Sequence, residues 1–250
     1  SRESAFLAMR VEALEMLGQW ALPDPRDRVL NAHRPLAKRD VLVAKKALES
    51  HVDSLITAPE SVREMAIEVA SKLGISEIAP VLVDRITNAS LSPATRAVSL
   101  AALNRLNPKS AVALAKQVKL KPVTELLPEA LRVLAQNDSE ASLPRFIEAT
   151  ESRNVKVRQL AWDILAESGG PDAVATIEGG VRSYLAGTLS PDVQLNVVEA
   201  AHGKVSPDLQ AALEDYAKVL AEQDPLAPWL VALDGGDSKK GRASFFENTK

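Results

Sequence analysis

The run Val62-Arg63-Glu64-Met65-Ala66-Ile67, followed by Ala70, Leu73 and Gly74, places small or apolar residues three, four, seven and ten positions after an arginine. That spacing marks one side of an α-helix, because about 3.6 residues per turn returns these positions to the same face. The pattern recurs as Val157-Arg158-Gln159-Leu160-Ala161-Trp162 with Leu165, Ser168 and Gly169. It recurs again as Met9-Arg10-Val11-Glu12-Ala13-Leu14 with Leu17, and as Arg96 with Ser99, Leu100, Leu103 and Leu106. Two weaker copies put Thr124 or Gln194 at the arginine step, with Leu127, Leu131 and Leu134 in one and Val197, Val198 and Ala201 in the other.

The anchors at residues 10, 63, 96, 124, 158 and 194 are separated by 53, 33, 28, 34 and 36 positions, four of which fit a two-helix repeat. The wide first interval contains Pro23-Asp24-Pro25 and Arg34-Pro35, which predict an enlarged loop with one extra helical turn. Each anchor helix (B) can hide its apolar face only against neighbours, so the units must stack. Partner helices (A) begin at Ser76 and at the pairs Asn107-Pro108, Gly170-Pro171 and Ser206-Pro207, while Ser92-Pro93 and Ser190-Pro191 start two B helices. A proline at the first helical position gives up an N–H that has no partner there, whereas in mid-helix it would break the ladder. Gly18, Gly74, Gly169 and Gly203 fall near B-helix ends, where a left-handed cap is expected. No sustained period-two pattern predicts a strand, and well over half the residues are expected to be helical.

Val-Arg-x-x-Ala helices, proline-started partners and a repeat of about 34 residues resemble the HEAT family over residues 3–222. The resemblance implies an all-α, right-handed α-solenoid of about six helix pairs across residues 1–233. It implies little about function, because such arrays serve many partners. The stretch from Arg10 to Trp20, then Pro23-Asp24-Pro25-Arg26-Asp27-Arg28 and Arg34-Pro35-Leu36, is similar to the HEAT segment of large bacterial proteins. In these, a sugar-dehydrogenase-like β-propeller precedes the repeats and a c-type cytochrome domain follows. Gly235-Gly236-Asp237-Ser238-Lys239-Lys240-Gly241-Arg242-Ala243-Ser244-Phe245-Phe246 is similar to the opening helix of such a cytochrome. Residues 234–250 are therefore expected to be a linker or the truncated start of a following domain. They contain no Cys-x-x-Cys-His, so no cofactor is expected on this segment. The resemblance implies a parent protein acting outside the cytoplasm.

Composition narrows the partners. Apolar residues make up 46%, charged residues 25% and aromatics 4%, with Ala, Leu and Val carrying a core suited to close-packed helices. A net charge of -3 disfavours nucleic acid and anionic membrane as partners of the whole molecule. The dense basic stretches are Arg34 to Arg39 with Lys45 and Lys46, and Lys239 to Arg242. No apolar run approaches the ~20 residues that span a bilayer. With no cysteine, disulfides and thiolate chemistry are excluded within these residues. The opening Ser1-Arg2-Glu3, without an initiator methionine, reads as a segment of a longer chain.

No residue set points to catalysis. His33, His51 and His202 fall in a loop, an A helix and a late B helix, without a second histidine one turn away, so no metal site is expected. Ser76, Ser92, Ser190 and Ser206 read as helix caps and not nucleophiles. Gly169-Gly170-Pro171 reads as a helix junction, and Gly179-Gly180 as a kink or a place where another chain approaches closely. Trp20 and Trp162 fall on core-facing steps, and Trp229 is expected to cap an open end or join a neighbouring domain.

Two rows remain. Arg10, Arg63, Arg96 and Arg158 predict a structural ladder with carboxylates of neighbouring repeats, for which Glu60, Asn154 and Asp192 are partners or caps. Five positions after each anchor stand Glu15, Glu68, Ala101, Glu129, Asp163 and Glu199. At about 100° per residue this step lies opposite the apolar face, so the acids predict either a solvated edge or a strip for a basic partner. The leading expectation is a non-catalytic scaffold or spacer whose partners are proteins: neighbouring domains or a basic surface. The alternatives are a free-standing adaptor and, by resemblance, a HEAT-like alkylpurine DNA glycosylase. The latter needs a basic, aromatic groove, and the acidic row argues against it.

Overall fold

A computed structural model describes residues 2–27, 29–233 and 242. The chain is all-helical, with 71% of its residues in helix and no strand among the described residues. It divides into two compact units, Ser1–Gln117 and Val118–Lys250. The expected linker or domain start at 234–250 lies outside the described residues, apart from residue 242.

The first unit contains α1 (Arg2–Gly18), α2 (Val41–Glu49), α3 (Val52–Ile56), α4 (Glu60–Lys72), α5 (Ala79–Thr87), α6 (Pro93–Leu106) and α7 (Pro108–Gln117). Helix α4 is its centre, packing on α1, α2, α3 and α6, and α6 packs in turn on α5 and α7. The second unit contains α8 (Leu126–Asn137), α9 (Ser139–Ala149), α10 (Val155–Glu167), α11 (Pro171–Leu185), α12 (Pro191–Ala201) and α13 (Pro207–Gln223), followed by a 3-10 turn at Ala227–Ala232. Here α8, α10 and α12 touch in sequence as one row, and α9, α11 and α13 do so as a second, with α10 packed on both α9 and α11. The anchor helices therefore contact one another in chain order within each unit.

The apolar steps explain this packing. After Arg63, residues Ala66, Ile67, Ala70 and Leu73 are all buried, and after Arg158 so are Ala161, Trp162, Leu165 and Ser168. In α1 Leu14 is buried while Leu17 is half-buried and Ala13 exposed. Thr124 stands two residues before α8 and not inside it, yet Leu127, Leu131 and Leu134 are fully buried as the spacing predicts.

All five X-Pro starts are observed at the first helical residue. The capping role expected of the four serines holds only for Ser92, whose Oγ accepts from Thr95 N at 3.1 Å. The Ser190 hydroxyl instead donates to Asp192 Oδ1 at 2.5 Å. The Ser206 side chain makes no cap hydrogen bond, and Ser76 opens a short 3-10 turn that precedes α5. Of the four expected glycine caps, Gly74 and Gly203 adopt positive φ, at 69° and 68°. Helix α10 instead ends on extended Ser168, and the positive φ falls one residue past Gly169, on Gly170. The wide first interval holds two helices, α2 and α3, where one extra turn was expected.

Contact between α11 and α13 is reinforced by Glu178, whose Oε1 accepts from Ser206 N at 3.1 Å and whose Oε2 accepts from Arg182 at 2.9 Å. The Ser206 N–H foremost, then Arg182, holds this carboxyl below its ordinary range. A lowered folded value gives stability that is present above the unfolded carboxyl pKa, about 4.3, and lost as pH falls through the folded value. The stability gap between the protein and Glu178→Gln is therefore expected to shrink as pH drops from about 6 to about 3. Thermal melts across that range check this, and a gap independent of pH would show that the carboxylate contributes no such linkage.

Candidate functional site

The expected arginine ladder has one complete rung. Arg158 is half-buried on α10, where its Nη2 bonds the Asp192 carboxylate at the start of α12 and its Nη1 donates to Ser152 O at 2.9 Å. Next to it Gln159 Nε2 donates to Asp192 O at 2.7 Å. Further along the same seam Asn196 Nδ2 donates to Asp163 Oδ1 at 2.8 Å, and Lys204 Nζ donates to Ser168 O at 2.8 Å. This row of polar contacts fixes the register of α10 against α12, because sliding either helix would leave half-buried polar groups unpaired.

In the first unit the same work falls to residues outside the predicted ladder. Arg96 Nε donates to Ile86 O at 2.7 Å, a bond inside its own helix pair and not to a neighbouring carboxylate. Arg85 instead reaches Glu64 on α4 at 2.7 Å and Ser99 Oγ at 3.1 Å. Arg105 Nη2 donates to the buried Ser71 Oγ on α4 at 3.0 Å. Arg10 and Arg63 occupy half-buried steps of α1 and α4. Asn154 caps α10 by accepting from Val157 N at 3.3 Å, and Asp192 is the ion-pair partner.

The acid row is uneven. Glu68, Asp163 and Glu199 are exposed, and Glu15 and Glu129 half-buried. Glu68 pairs with Lys72 at 2.6 Å and Glu129 with Arg132 at 3.4 Å, both one turn away on the same helix. Such pairs one turn apart on a helix contribute at most about 0.5 kcal/mol, so they trim the row's charge more than they stabilise the fold. In the second unit Asp163 on α10 and Glu199 on α12 stand exposed on helices that touch.

The histidines stay apart. His33 is bridged to Arg26 in the loop after α1, His51 starts α3 with its Nδ1 3.1 Å from Ala47 O, and His202 is exposed at the end of α12. Among the described residues no group of three or more His, Cys, Asp or Glu side chains is placed to hold a metal.

Trp162 is buried as its step predicts, and Gly180 of α11 is what makes room for it: a Cβ there would lie 2.9 Å from the indole and 3.1 Å from Val197. The close approach at Gly180 is made within the chain, by Trp162 and Val197, while Gly179 has nothing within 4 Å. Trp229 does not cover an end, for its ring is 72% exposed. The roughly three-residue period of the 3-10 turn sends Pro228 and Val231 to the half-buried side and Trp229 outward. Trp20 is half-buried just beyond α1, with Arg39 Cζ over its ring at 4.8 Å from the centroid.

Two concavities stand out. One of about 570 Å³ in the second unit lies between residues 120–123 and the turn joining α9 to α10, with Leu127 and Val157 in its wall. The other, of about 580 Å³ in the first unit, is formed by α1 and the loop after it, around Trp20. No described helix is long and apolar enough to cross a membrane. Comparison with known proteins finds no matching family model, no matching curated protein and no matching solved structure.

Proposed function

We propose that the chain is a HEAT-like, right-handed α-solenoid and serves as a non-catalytic spacer that holds neighbouring domains or a basic protein partner. The observation that supports this most is the order of packing: α1, α4 and α6 in one unit and α8, α10 and α12 in the other contact in chain order. Such nearest-neighbour stacking yields extended, regular side-chain rows and suits presentation more than enclosure of a substrate. The resemblance to segments between a β-propeller and a cytochrome domain extends the reading: the flanking domains would be catalytic or electron-carrying and extracytoplasmic. Small-angle scattering on the protein tests the shape, with a rod-like profile expected and a compact sphere overturning the solenoid.

The partner surface is the acid row, for which exposed Asp163 and Glu199 are the sharpest probe. Asp163→Asn keeps an acceptor for Asn196, and Glu199→Gln is a surface change, so the pair removes charge without unpacking α10 from α12. Titration with poly-L-lysine at low salt is expected to bind the double variant about fivefold more weakly, with a shallower salt dependence. Identical affinity and salt slope would retire the docking strip.

A further inference from the structure

The concavity beside Trp20 is lined by three arginines against two aspartates. Its apolar floor includes Met16, Leu17 and Leu36, and three guanidinium groups, Arg26, Arg34 and Arg39, line it. Each of the two carboxylates there turns one oxygen to the backbone: Asp24 Oδ1 accepts from Arg26 N at 2.8 Å. Asp27 Oδ1 accepts from Val29 N at 2.9 Å and Leu30 N at 2.8 Å. Arg26 is partly committed as well, donating to Asn31 O at 3.1 Å. The backbone N–H groups of Arg34 and Arg39 donate to Pro25 O and Ala21 O, while their guanidinium groups have no hydrogen-bond acceptor and no ion-pair partner among the described residues, that of Arg39 lying over Trp20. The Trp20 Nε1–H is itself buried without an acceptor.

A guanidinium held over an indole by cation–π attraction still presents its N–H edge, and that planar fork matches a carboxylate or phosphate. Two such cations on one concavity that also carries the apolar surface of Met16, Leu17 and Leu36 describe a ligand with two ends. We infer that this cavity is a binding site for a small amphipathic organic anion, an apolar or aromatic body carrying one carboxylate or phosphate. The anion meets Arg34 and Arg39, and the body lies against Met16 and Leu36, both of them exposed apolar side chains. The site belongs to the first unit alone and does not depend on the acid row.

Phenyl phosphate is a suitable probe, titrated into the whole chain and followed by calorimetry and by the indole N–H resonance of Trp20, assigned through Trp20→Phe. Saturable binding is expected at about 1 mM or tighter, the range open to a ligand of this size. Inorganic phosphate and benzyl alcohol, each lacking one end, are expected to bind at least about tenfold more weakly. Arg34→Gln with Arg39→Gln is expected to weaken phenyl phosphate about tenfold or more, and Leu36→Gln a fewfold, all three positions being exposed and so neutral to folding. The proposal falls if no saturable shift appears at Trp20, or if the arginine variants bind as the parent does. It falls also if inorganic phosphate matches phenyl phosphate, which would mark a bare anion site, or if poly-L-glutamate displaces the probe at lower concentration, which would mark a surface for acidic peptide.

Discussion

Gly180→Val is expected to destabilise the second unit by about 3 kcal/mol, the upper part of the range for overpacking a filled core, whereas Gly179→Ala beside it is expected to stabilise by about 0.5–1 kcal/mol. The two glycines share a helix and a sequence context, and what separates them is what a Cβ would meet. At Gly180 even the first carbon would lie 2.9 Å from the Trp162 ring and 3.1 Å from Val197, and the ring is itself buried and cannot swing away. At Gly179 nothing lies within 4 Å, so alanine only removes backbone freedom from the unfolded chain. Urea denaturation of the two variants measures both signs. Combining Gly180→Ala with Trp162→Leu is expected to cost less than the sum of the single changes, because the same space is at issue in each. Equal effects at the two glycines would mean that α11 does not sit this close to α10 and α12.

The sequence presents Gly179-Gly180 as a kink or a close approach by another chain, and only packing reveals Trp162 and Val197 of the same chain against Gly180. Periodicity is local, so apolar steps such as Ala66, Ile67, Ala70 and Leu73 declare a buried face wherever the helix lands. Helix starts at proline were equally legible, since the missing N–H acts within a single turn. Pro144 is the exception: it lies inside α9, but it is exposed, where water can satisfy the carbonyl it frees. Cross-repeat polar contacts were harder to see. Arg158 with Asp192 was anticipated, but Arg105 with Ser71 and Asn196 with Asp163 were not. Their one signal in the sequence is a separation of 34 and 33 residues, close to one repeat. Which of several residues at that offset actually pair depends on how two faces meet, which no single helix encodes. For the same reason the acids at one helical step differ in exposure, with Glu68, Asp163 and Glu199 exposed and Glu15 and Glu129 half-buried. The Trp20 cavity escaped the sequence reading because it needs a loop folded back on α1. The basic stretch from Arg34 to Arg39 was visible, but not that two of its guanidinium groups border an apolar hollow.

Phe146→Ala is expected to cost about 3–5 kcal/mol, the usual loss for emptying a phenylalanine site in a packed core. Phe146 is fully buried and heads the large side chains with no exposure, on α9 where α8, α10 and α11 converge. Helix α9 thus packs on members of both rows of the second unit. Trp229→Ala, although it removes a larger ring, is expected to change stability by no more than about 0.5 kcal/mol, because that ring faces solvent. The contrast, read from urea midpoints at constant m-value, separates apolar content from apolar burial. How the Phe146 loss spreads also bears on the stacking reading. In a nearest-neighbour array each helix pair owes its stability to its own packing and to the pairs beside it. Amide exchange in Phe146→Ala is then expected to accelerate most in α8 to α11 and much less in α13, which packs on α11. Equal acceleration across α8 to α13 would instead mark the unit as a single cooperative core, and the repeat would then describe its sequence without describing how its stability is built.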